Sequence, residues 1–385
     1  MSVARGINPL RISLDRIWIY GACCALVVSL PFLALRWFPK VAYLYDFACF
    51  WSAGATAGTR TLTDPDALNA WAHRHGMIAQ PFSYLPGFAW AYAPLSRVNP
   101  LAGLAIEEAL MAALFVAAAL IAARIYGYNR WFCIAATLAW APAINSIEVG
   151  QNAGLALVFV LATTWALREK RDAAAGLAAG LLLYKPTVAL PMLLLLVVRR
   201  QWRALGVSTA CAAGWYFVSV AASGGDWRWP AAYAHTMAWW LPMDFLAGSV
   251  KAFSLPTLLM AAGASLATAS VVAAAIWLVA LPVATRSPLL EAASMMPLVG
   301  LAASVHAWPY EAALALPAIF YAMGALREPP RTALLAAAYA ATAILMVTRY
   351  GTAALFVACV GGSAWWLWAG YRRGIMPSWS VPPTS

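Results

Sequence analysis

The stretch AAGLAAGLLLYKPTVALP, from Ala174 to Pro191, places one lysine in the middle of a long apolar run. The flanking residues predict two helices, 173–184 and 187–198. At about 1.5 Å per residue each is too short to cross a bilayer whose core is about 30 Å thick. We therefore expect their junction at Lys185 to lie in a cavity below the membrane surface. A charge at that depth indicates a functional site, although a lysine can also extend to a lipid headgroup.

The composition of the whole chain is that of a polytopic membrane protein. Residues of the set AVILMFWYC make up 64% of the 385 residues, charged residues make up 10%, and the mean hydropathy is +0.74. A soluble domain is nearer half apolar and a quarter charged. We predict one all-α integral-membrane domain over 1–371 and a cytoplasmic tail over 372–385. The six cysteines lie in or beside apolar segments, so no disulfide framework is expected.

Breaks in the apolar pattern predict about twelve transmembrane or re-entrant helices. The expected spans are 17–36, 101–123, 131–147, 151–168, 173–184, 187–198, 204–222, 264–285, 289–304, 308–326, 332–348 and 351–371. The first span lacks a small-residue cleavage site, which favours a membrane helix over a secretory signal.

The charges divide the connections between these helices into two sets. Most of the 25 lysines and arginines lie at the N-terminus and in alternate short connections. By the positive-inside rule this asymmetry predicts cytoplasmic termini, so the net charge of +11 orients the protein and does not indicate nucleic-acid binding. The opposite side carries two long loops, 37–100 and 223–263. Within the first, LTDPDALNAWAHRHG predicts an amphipathic helix with Asp64 as N-cap and Trp71 at the membrane interface.

Polar side chains collect where the apolar helices reach this outer side. They are Asp46, Glu148, Gln151, Asn152, Lys185, His306, Tyr310 and Glu311. Structural roles remain open for several of them: Asp46, Gln151 and Asn152 are in positions to cap helices. The pair His73 and His75 is not expected to bind metal, because residues two apart do not share a helix face.

The order of several motifs along the chain is more informative than any one of them. The motifs are YDFACFWSAG, PFSYLPGFAWAYAPL, GQNAGLAL, AAGLAAGLLLYKPTVALP, GGDWRW and HAWPYEAALALPA. Together they resemble glycosyltransferase family 87, in the membrane-embedded GT-C class that includes polyprenol-phosphate-mannose-dependent mannosyltransferases. The resemblance covers about 40–325 and implies the GT-C fold. Two positions depart from the family pattern: Leu85 stands where Tyr-Pro-Pro is usual, and Glu311 stands where Asp is common.

The resemblance also implies residue roles. The catalytic base of the family, an aspartate at the mouth of the first outer loop, matches Asp46. The G-Q-N and K-P pieces match Gly150 to Asn152 and Lys185-Pro186. We expect the donor phosphate to be bound by Lys185, His306 and Arg349. The expected substrate-binding side chains are Tyr45, Trp51, Tyr84, Glu148, Gln151, Asn152, Trp308, Tyr310 and Glu311.

The function that follows is inverting transfer of a hexose or pentose, with mannose favoured, from a polyprenyl-phosphate donor to a lipid or glycan acceptor. The expected location is a bacterial inner membrane, with the active site facing outward. No cofactor is expected, and no metal is demanded without a nucleotide-diphosphate donor. Two alternatives remain: a polyprenyl-lipid or sugar transporter or flippase, and a non-catalytic lipid-binding scaffold. The long outer loop with its amphipathic helix favours the transferase, since a transporter does not need it.

Overall fold

A computed structural model describes residues 46–247, 252–326, 338–339 and 351–375. These residues form helices and connecting turns without strands, as the composition predicted. The predicted span 17–36 and most of 332–348 lie outside the described residues, and so do two candidate site residues, Tyr45 and Arg349.

The helices of the described residues are numbered here along the chain. They are α1 (Phe47–Thr56), α2 (Pro65–Arg74), α3 (Ala89–Tyr92), α4 (Pro100–Tyr126), α5 (Arg130–Leu138), α6 (Ala141–Glu148), α7 (Ala153–Arg168), α8 (Asp172–Leu181), α9 (Pro186–Val198), α10 (Trp202–Ala222), α11 (Trp229–Ala247), α12 (Leu255–Ala261), α13 (Leu266–Arg286), α14 (Leu289–Ala303), α15 (Leu316–Ala325), α16 (Gly351–Phe356) and α17 (Gly362–Ile375).

Within the described residues, three helices, α4, α10 and α13, are long and apolar enough to cross a membrane. The longest, α4, has 27 residues, so it extends over about 40 Å at about 1.5 Å per residue. Four further apolar stretches are shorter: α7, α8 with the 3₁₀ turn after it, α9 and α14. The predicted pair of short helices around Lys185 is confirmed, because α8 and the turn Leu182–Tyr184 end immediately before it and α9 begins at Pro186.

Two predicted helices are interrupted in the structure. The span 131–147 is wrong as one helix: it divides into α5 and α6 at Ala139 and Trp140. Pro142 lies in the first turn of α6, where its missing N–H costs nothing, whereas inside a continuous helix it would remove a hydrogen bond. The span 308–326 is likewise a 3₁₀ helix, Pro309–Ala315, followed by α15 with Pro317 in its first turn.

Two segments contain more helix than the sequence suggested. The predicted outer loop 223–263 contains two helices, α11 and α12. The predicted tail begins inside α17, which continues to Ile375. Glu291, at the start of α14, accepts hydrogen bonds from Arg373 and from Nε1 of Trp366. The Trp366 Nε1 lies 2.8 Å from the Glu291 carboxylate. The ion pair of Arg373 with Glu291 attaches the last helix to the bundle.

The predicted amphipathic helix forms as α2. The Asp64 side chain accepts hydrogen bonds from the backbone N–H of Asp66 and Ala67, and Pro65 is the first helical residue. Leu68 and Ala72 are buried against α1. Trp71 packs on Trp51 with 5.5 Å between ring centroids. The apolar face of α2 therefore packs against the protein itself.

Small residues bring α8 and α10 close together. A Cβ atom on Gly176 would lie 2.2 Å from the backbone oxygen of Ala204, and one on Gly180 would lie 2.5 Å from the Cβ of Cys211. The spacing of four residues places both glycines on one face of α8. The Gly-x-x-x-Gly pattern is thus used for helix packing. This packing holds α8, and the turn before Lys185 that follows it, against α10.

Candidate active site

Asp46 lies at the start of α1 but does not cap it. Its side chain makes no capping hydrogen bond, and the residue is partly exposed. The carboxylate instead accepts a hydrogen bond from Nε2 of Gln151, with 2.9 Å between Nε2 and Oδ2. The next residue, Phe47, is fully buried and packs against Gly150, where a Cβ atom would lie 2.7 Å from the Cβ of Phe47. Close packing therefore brings the start of α1 to the turn that carries Gln151.

Gln151 lies in the turn between α6 and α7 with its side chain buried. Its backbone N–H donates to the Ser146 carbonyl, and the Ser146 hydroxyl donates to the carbonyl of Gln151. Gly150 supplies the left-handed conformation that the turn requires, at φ +68°. The amide oxygen of Gln151 accepts a hydrogen bond of 2.7 Å from the Tyr84 hydroxyl. Because that oxygen is occupied by a donor, the amide nitrogen faces Asp46.

Asn152 holds the start of α7 to the turn before Lys185. Its Oδ1 lies 3.2 Å from the Tyr184 hydroxyl, which donates to it, and its side chain makes no capping bond. The residue has no exposed surface. Asn152 thus occupies the N-cap position of α7, but neither its side chain nor that of Gln151 caps the helix. Both side chains are buried and are hydrogen-bonded to other protein groups.

Lys185 is buried at the junction of the two short apolar stretches, with 3% of its surface exposed. Its Nζ lies 2.6 Å from Oε1 of Glu311 and 3.4 Å from the Tyr84 hydroxyl oxygen. The ammonium also faces two aromatic rings, with Nζ 5.3 Å from the ring centroid of Tyr84 and 5.4 Å from that of Tyr310. Such contacts stabilise a desolvated cation. Lys185 therefore does not extend to a lipid headgroup.

His306 and Trp308 complete the site on the other side of Glu311. The Trp308 backbone N–H donates to Oε2 of Glu311, at 3.2 Å. The indole Nε1 of Trp308 lies 3.0 Å from Nε2 of His306. An indole nitrogen only donates, so Nε2 of His306 is the acceptor and the ring proton is on Nδ1. Burial lowers the pKa of His306 to about 4. His306 is therefore neutral near pH 7 and does not add a second positive charge.

Tyr84 connects the two charged ends of this network. Its hydroxyl donates to Gln151 and accepts from Lys185. Burial, followed by the nearby carboxylates of Glu311 and Asp46, raises the pKa of Tyr84 well above its ordinary value. The hydroxyl keeps its proton, which preserves the hydrogen bond to Gln151. One continuous set of contacts thus runs from Asp46 through Gln151, Tyr84 and Lys185 to Glu311.

The other predicted side chains have structural contacts in the described residues. Trp51 is buried and donates from Nε1 to the Val98 carbonyl, at 3.2 Å. Trp308 stacks on Phe245 with 5.1 Å between ring centroids. Glu148 is buried at the end of α6. The described residues contain no cluster of three or more His, Cys, Asp or Glu that could hold a metal.

A buried carboxylate that the sequence analysis did not select lies on α4. Glu107 has 1% of its surface exposed and accepts a 2.9 Å hydrogen bond from the Tyr92 hydroxyl. Tyr92 stacks on Phe50 of α1, with ring centroids 4.7 Å apart. Glu107 thus supports the helix that begins at Asp46. The signal available in the sequence was an acidic residue inside the apolar run of α4.

A small, mostly apolar pocket lies between α9 and α14, and Glu311 is part of its lining. The residues that line it are Thr187, Val188, Pro191, Pro297, Gly300, Leu301, Ser304, Glu311 and Leu314. The two helices approach closely there, because a Cβ atom on Gly300 would lie 2.3 Å from the Cγ of Pro191. The polar contacts around Lys185 therefore continue into an apolar surface.

The fold and the site define an all-helical membrane protein with a partly exposed carboxylate and a buried lysine at one end of the bundle. The model of glycosyltransferase family 87 matches residues 82–309, more than half of the chain. The protein therefore belongs to glycosyltransferase family 87, as its motifs predicted, and it is a glycosyltransferase that uses a sugar donor and an acceptor. Comparison with curated proteins and with solved structures gives no match. Tyr84, Gln151, Lys185 and His306 lie within the matched residues, whereas Asp46 precedes them and Glu311 follows them.

Proposed function

We propose that the protein transfers a sugar, with inversion, from a polyprenyl-phosphate-linked donor to a lipid or glycan acceptor. The sugar is a hexose or pentose, with a mannose-like hexose favoured. The observation that carries this proposal is the set of contacts that joins Asp46 to Lys185 through Gln151 and Tyr84. These contacts connect a carboxylate that can take a proton to a cation that can bind a phosphate.

Asp46 is the general base of this reaction. The acceptor hydroxyl oxygen attacks the anomeric carbon, its proton passes to the Asp46 carboxylate, and the bond from that carbon to the phosphate oxygen breaks. The polyprenyl phosphate leaves with the electron pair. One carboxylate is sufficient, because an inverting displacement needs no covalent glycosyl-enzyme. General base catalysis is worth about 10²- to 10⁴-fold in rate.

Lys185 stabilises the departing phosphate. Negative charge develops on the phosphate oxygen as the bond to the sugar breaks, and a buried ammonium interacts with such a charge more strongly than it would in water. His306, neutral with its proton on Nδ1, contributes to phosphate binding as a hydrogen-bond donor. Arg349 is proposed as a further phosphate ligand on the basis of the sequence alone.

The small, mostly apolar pocket between α9 and α14 supports a lipid-linked donor. Glu311, the partner of Lys185, is one of its lining residues. An apolar surface near the lysine suits a polyprenyl chain, whereas a water-soluble nucleotide sugar does not need one.

The proposed orientation has the site facing outward from a bacterial inner membrane, with cytoplasmic termini. The basic residues at the opposite ends of the helices support it. They include Arg168, Lys170 and Arg171 at the end of α7 and in the turn after it, Arg199 and Arg200 between α9 and α10, and Arg203 in the first turn of α10. The short turns at Lys170 and Arg200, both at positive φ, keep these charges at that end.

The test is transfer by the purified full-length protein from polyprenyl-phosphate sugars, supplied one at a time with and without a chelator. Asp46→Asn keeps the shape of the side chain and should lower the rate by at least about 10²-fold. Asp64→Asn, the same change at the exposed cap of α2, is the matched control and should leave the rate within about twofold, since asparagine also caps helices. An Asp46→Asn protein with a near wild-type rate would overturn the assignment of the base, and Glu311 and Glu148 would then be tested.

A further inference from the structure

The Lys185 ammonium is already neutralised by a carboxylate. Its Nζ lies 2.6 Å from Glu311 Oε1, and the two side chains are 4% and 2% exposed. An ion pair this buried is held strongly, because removal of either partner leaves an uncompensated charge out of water. Lys185 therefore offers little net positive charge to a phosphate as long as Glu311 remains in contact with it.

The charge of the donor leads to the same difficulty. A sugar phosphodiester brings further negative charge, and it would arrive beside the Glu311 carboxylate. Like charges at such short range are costly in a site that excludes water.

The contacts of Glu311 would allow it to release Lys185. Only Oε1 faces the lysine, whereas Oε2 accepts a hydrogen bond from the Trp308 backbone N–H at the start of the 3₁₀ helix Pro309–Ala315. The second oxygen thus has a partner of its own, which does not depend on Lys185. Glu311 can release the ammonium and remain bound through its other oxygen.

We propose that Glu311 occupies the place of the donor phosphate at Lys185 and is displaced from the lysine when the phosphate binds. This inference rests on the proposed function, because it assumes a phosphate-bearing donor. In the empty site the carboxylate prevents the cost of a lone buried ammonium. In the occupied site the phosphate takes over the lysine, and Glu311 keeps only its hydrogen bond to Trp308.

The sequence suggested that Glu311 binds substrate directly. The two roles predict opposite changes in affinity when Glu311 is removed. If Glu311 holds substrate, its removal weakens binding. If it competes with the phosphate, its removal strengthens binding of the phosphate and leaves the affinity for the acceptor unchanged. The two roles can therefore be separated by a single affinity measurement.

The experiment measures binding of undecaprenyl phosphate to the purified full-length protein, through the ligand-dependent rise in Tm, and KM for the sugar-bearing donor. For Glu311→Gln we expect the apparent Kd to fall by about tenfold, which corresponds to about 1.4 kcal/mol. The donor KM should fall in parallel, with an unchanged acceptor KM. The matched control is Glu291→Gln, which removes another buried, ion-paired carboxylate at the opposite end of α14 and should leave the Kd unchanged.

A second variant covers the case in which Glu311→Gln does not fold. Glu311→Asp keeps the charge and retracts the carboxylate from Lys185, so it should also bind undecaprenyl phosphate more tightly than the wild type, by a smaller factor. Unchanged or weaker binding by whichever of the two variants folds would overturn the proposal. Lys185→Gln distinguishes this result from failure of the proposed function: if it binds undecaprenyl phosphate as well as the wild type does, the assignment of the donor site is wrong whatever Glu311 does.

Discussion

Gln151 donates a hydrogen bond from Nε2 to Oδ2 of Asp46 across 2.9 Å, although 105 residues separate them. The orientation of the amide is determined by the Tyr84 hydroxyl, which donates to its oxygen. We therefore propose that Gln151 positions the base.

Replacement of Gln151 tests this positioning role. Gln151→Leu keeps the approximate volume and removes the hydrogen bond to Asp46, so kcat should fall by about tenfold, as expected for the loss of one hydrogen bond to a charged group, worth about 1.5 kcal/mol. The donor KM should change by less than about twofold. Gln80→Leu, on the exposed part of the loop, is the control. A raised donor KM with an unchanged kcat would instead assign Gln151 to substrate binding.

Substitutions in the buried ion pair of Lys185 and Glu311 should affect stability and activity differently. Lys185→Gln leaves the Glu311 carboxylate buried without its cation, which should lower the free energy of unfolding by about 3–5 kcal/mol. Addition of Glu311→Gln removes the remaining charge and should restore most of the Tm. Transfer should stay low in the double variant, because the phosphate still lacks its lysine. Lys170→Gln, at an exposed turn, should change neither quantity.

The neutral His306 predicts a dependence of stability on pH. The pKa is about 4 in the folded protein and near 6.5 in the unfolded chain, so the unfolded chain binds more protons between these values. The stabilisation is complete above about pH 6.5 and is lost as the pH falls towards 4, by about 3 kcal/mol in total. His306→Gln should flatten this part of the curve of Tm against pH. His75→Gln, at an exposed position, should leave the curve unchanged.

The close contact between α8 and α10 predicts that one added methyl group lowers the stability of the protein. Gly176→Ala would place its Cβ 2.2 Å from the Ala204 backbone oxygen, so the helices must move apart, at a cost of about 1–3 kcal/mol. Gly206→Ala, on α10 itself, meets no atom within 4 Å and should be neutral or slightly stabilising. Thermal unfolding of both purified variants measures the difference. Equal Tm values would contradict the close packing.

Several features followed from local chemistry alone. The apolar composition implied a membrane bundle. The bounds of α4, α10 and α13 were predicted closely, because they depend on the apolar runs and on the residues at the ends of each run. The capping of α2 by Asp64 is likewise local, since an aspartate before a proline satisfies the first N–H groups wherever the helix packs. The two short helices on either side of Lys185 likewise followed from the apolar pattern along the chain.

Tertiary packing determined what the polar side chains contact. Asp46, Gln151 and Asn152 had the chemistry of helix caps, and only the packing of α1 against the turn at Gly150 directed Asp46 to Gln151. Lys185 was expected to meet a donor phosphate or a headgroup, whereas the fold pairs it with Glu311. A buried polar group must find a partner. Which partner it finds depends on which helices are neighbours in space, and residues far apart in the chain become neighbours only in the folded bundle.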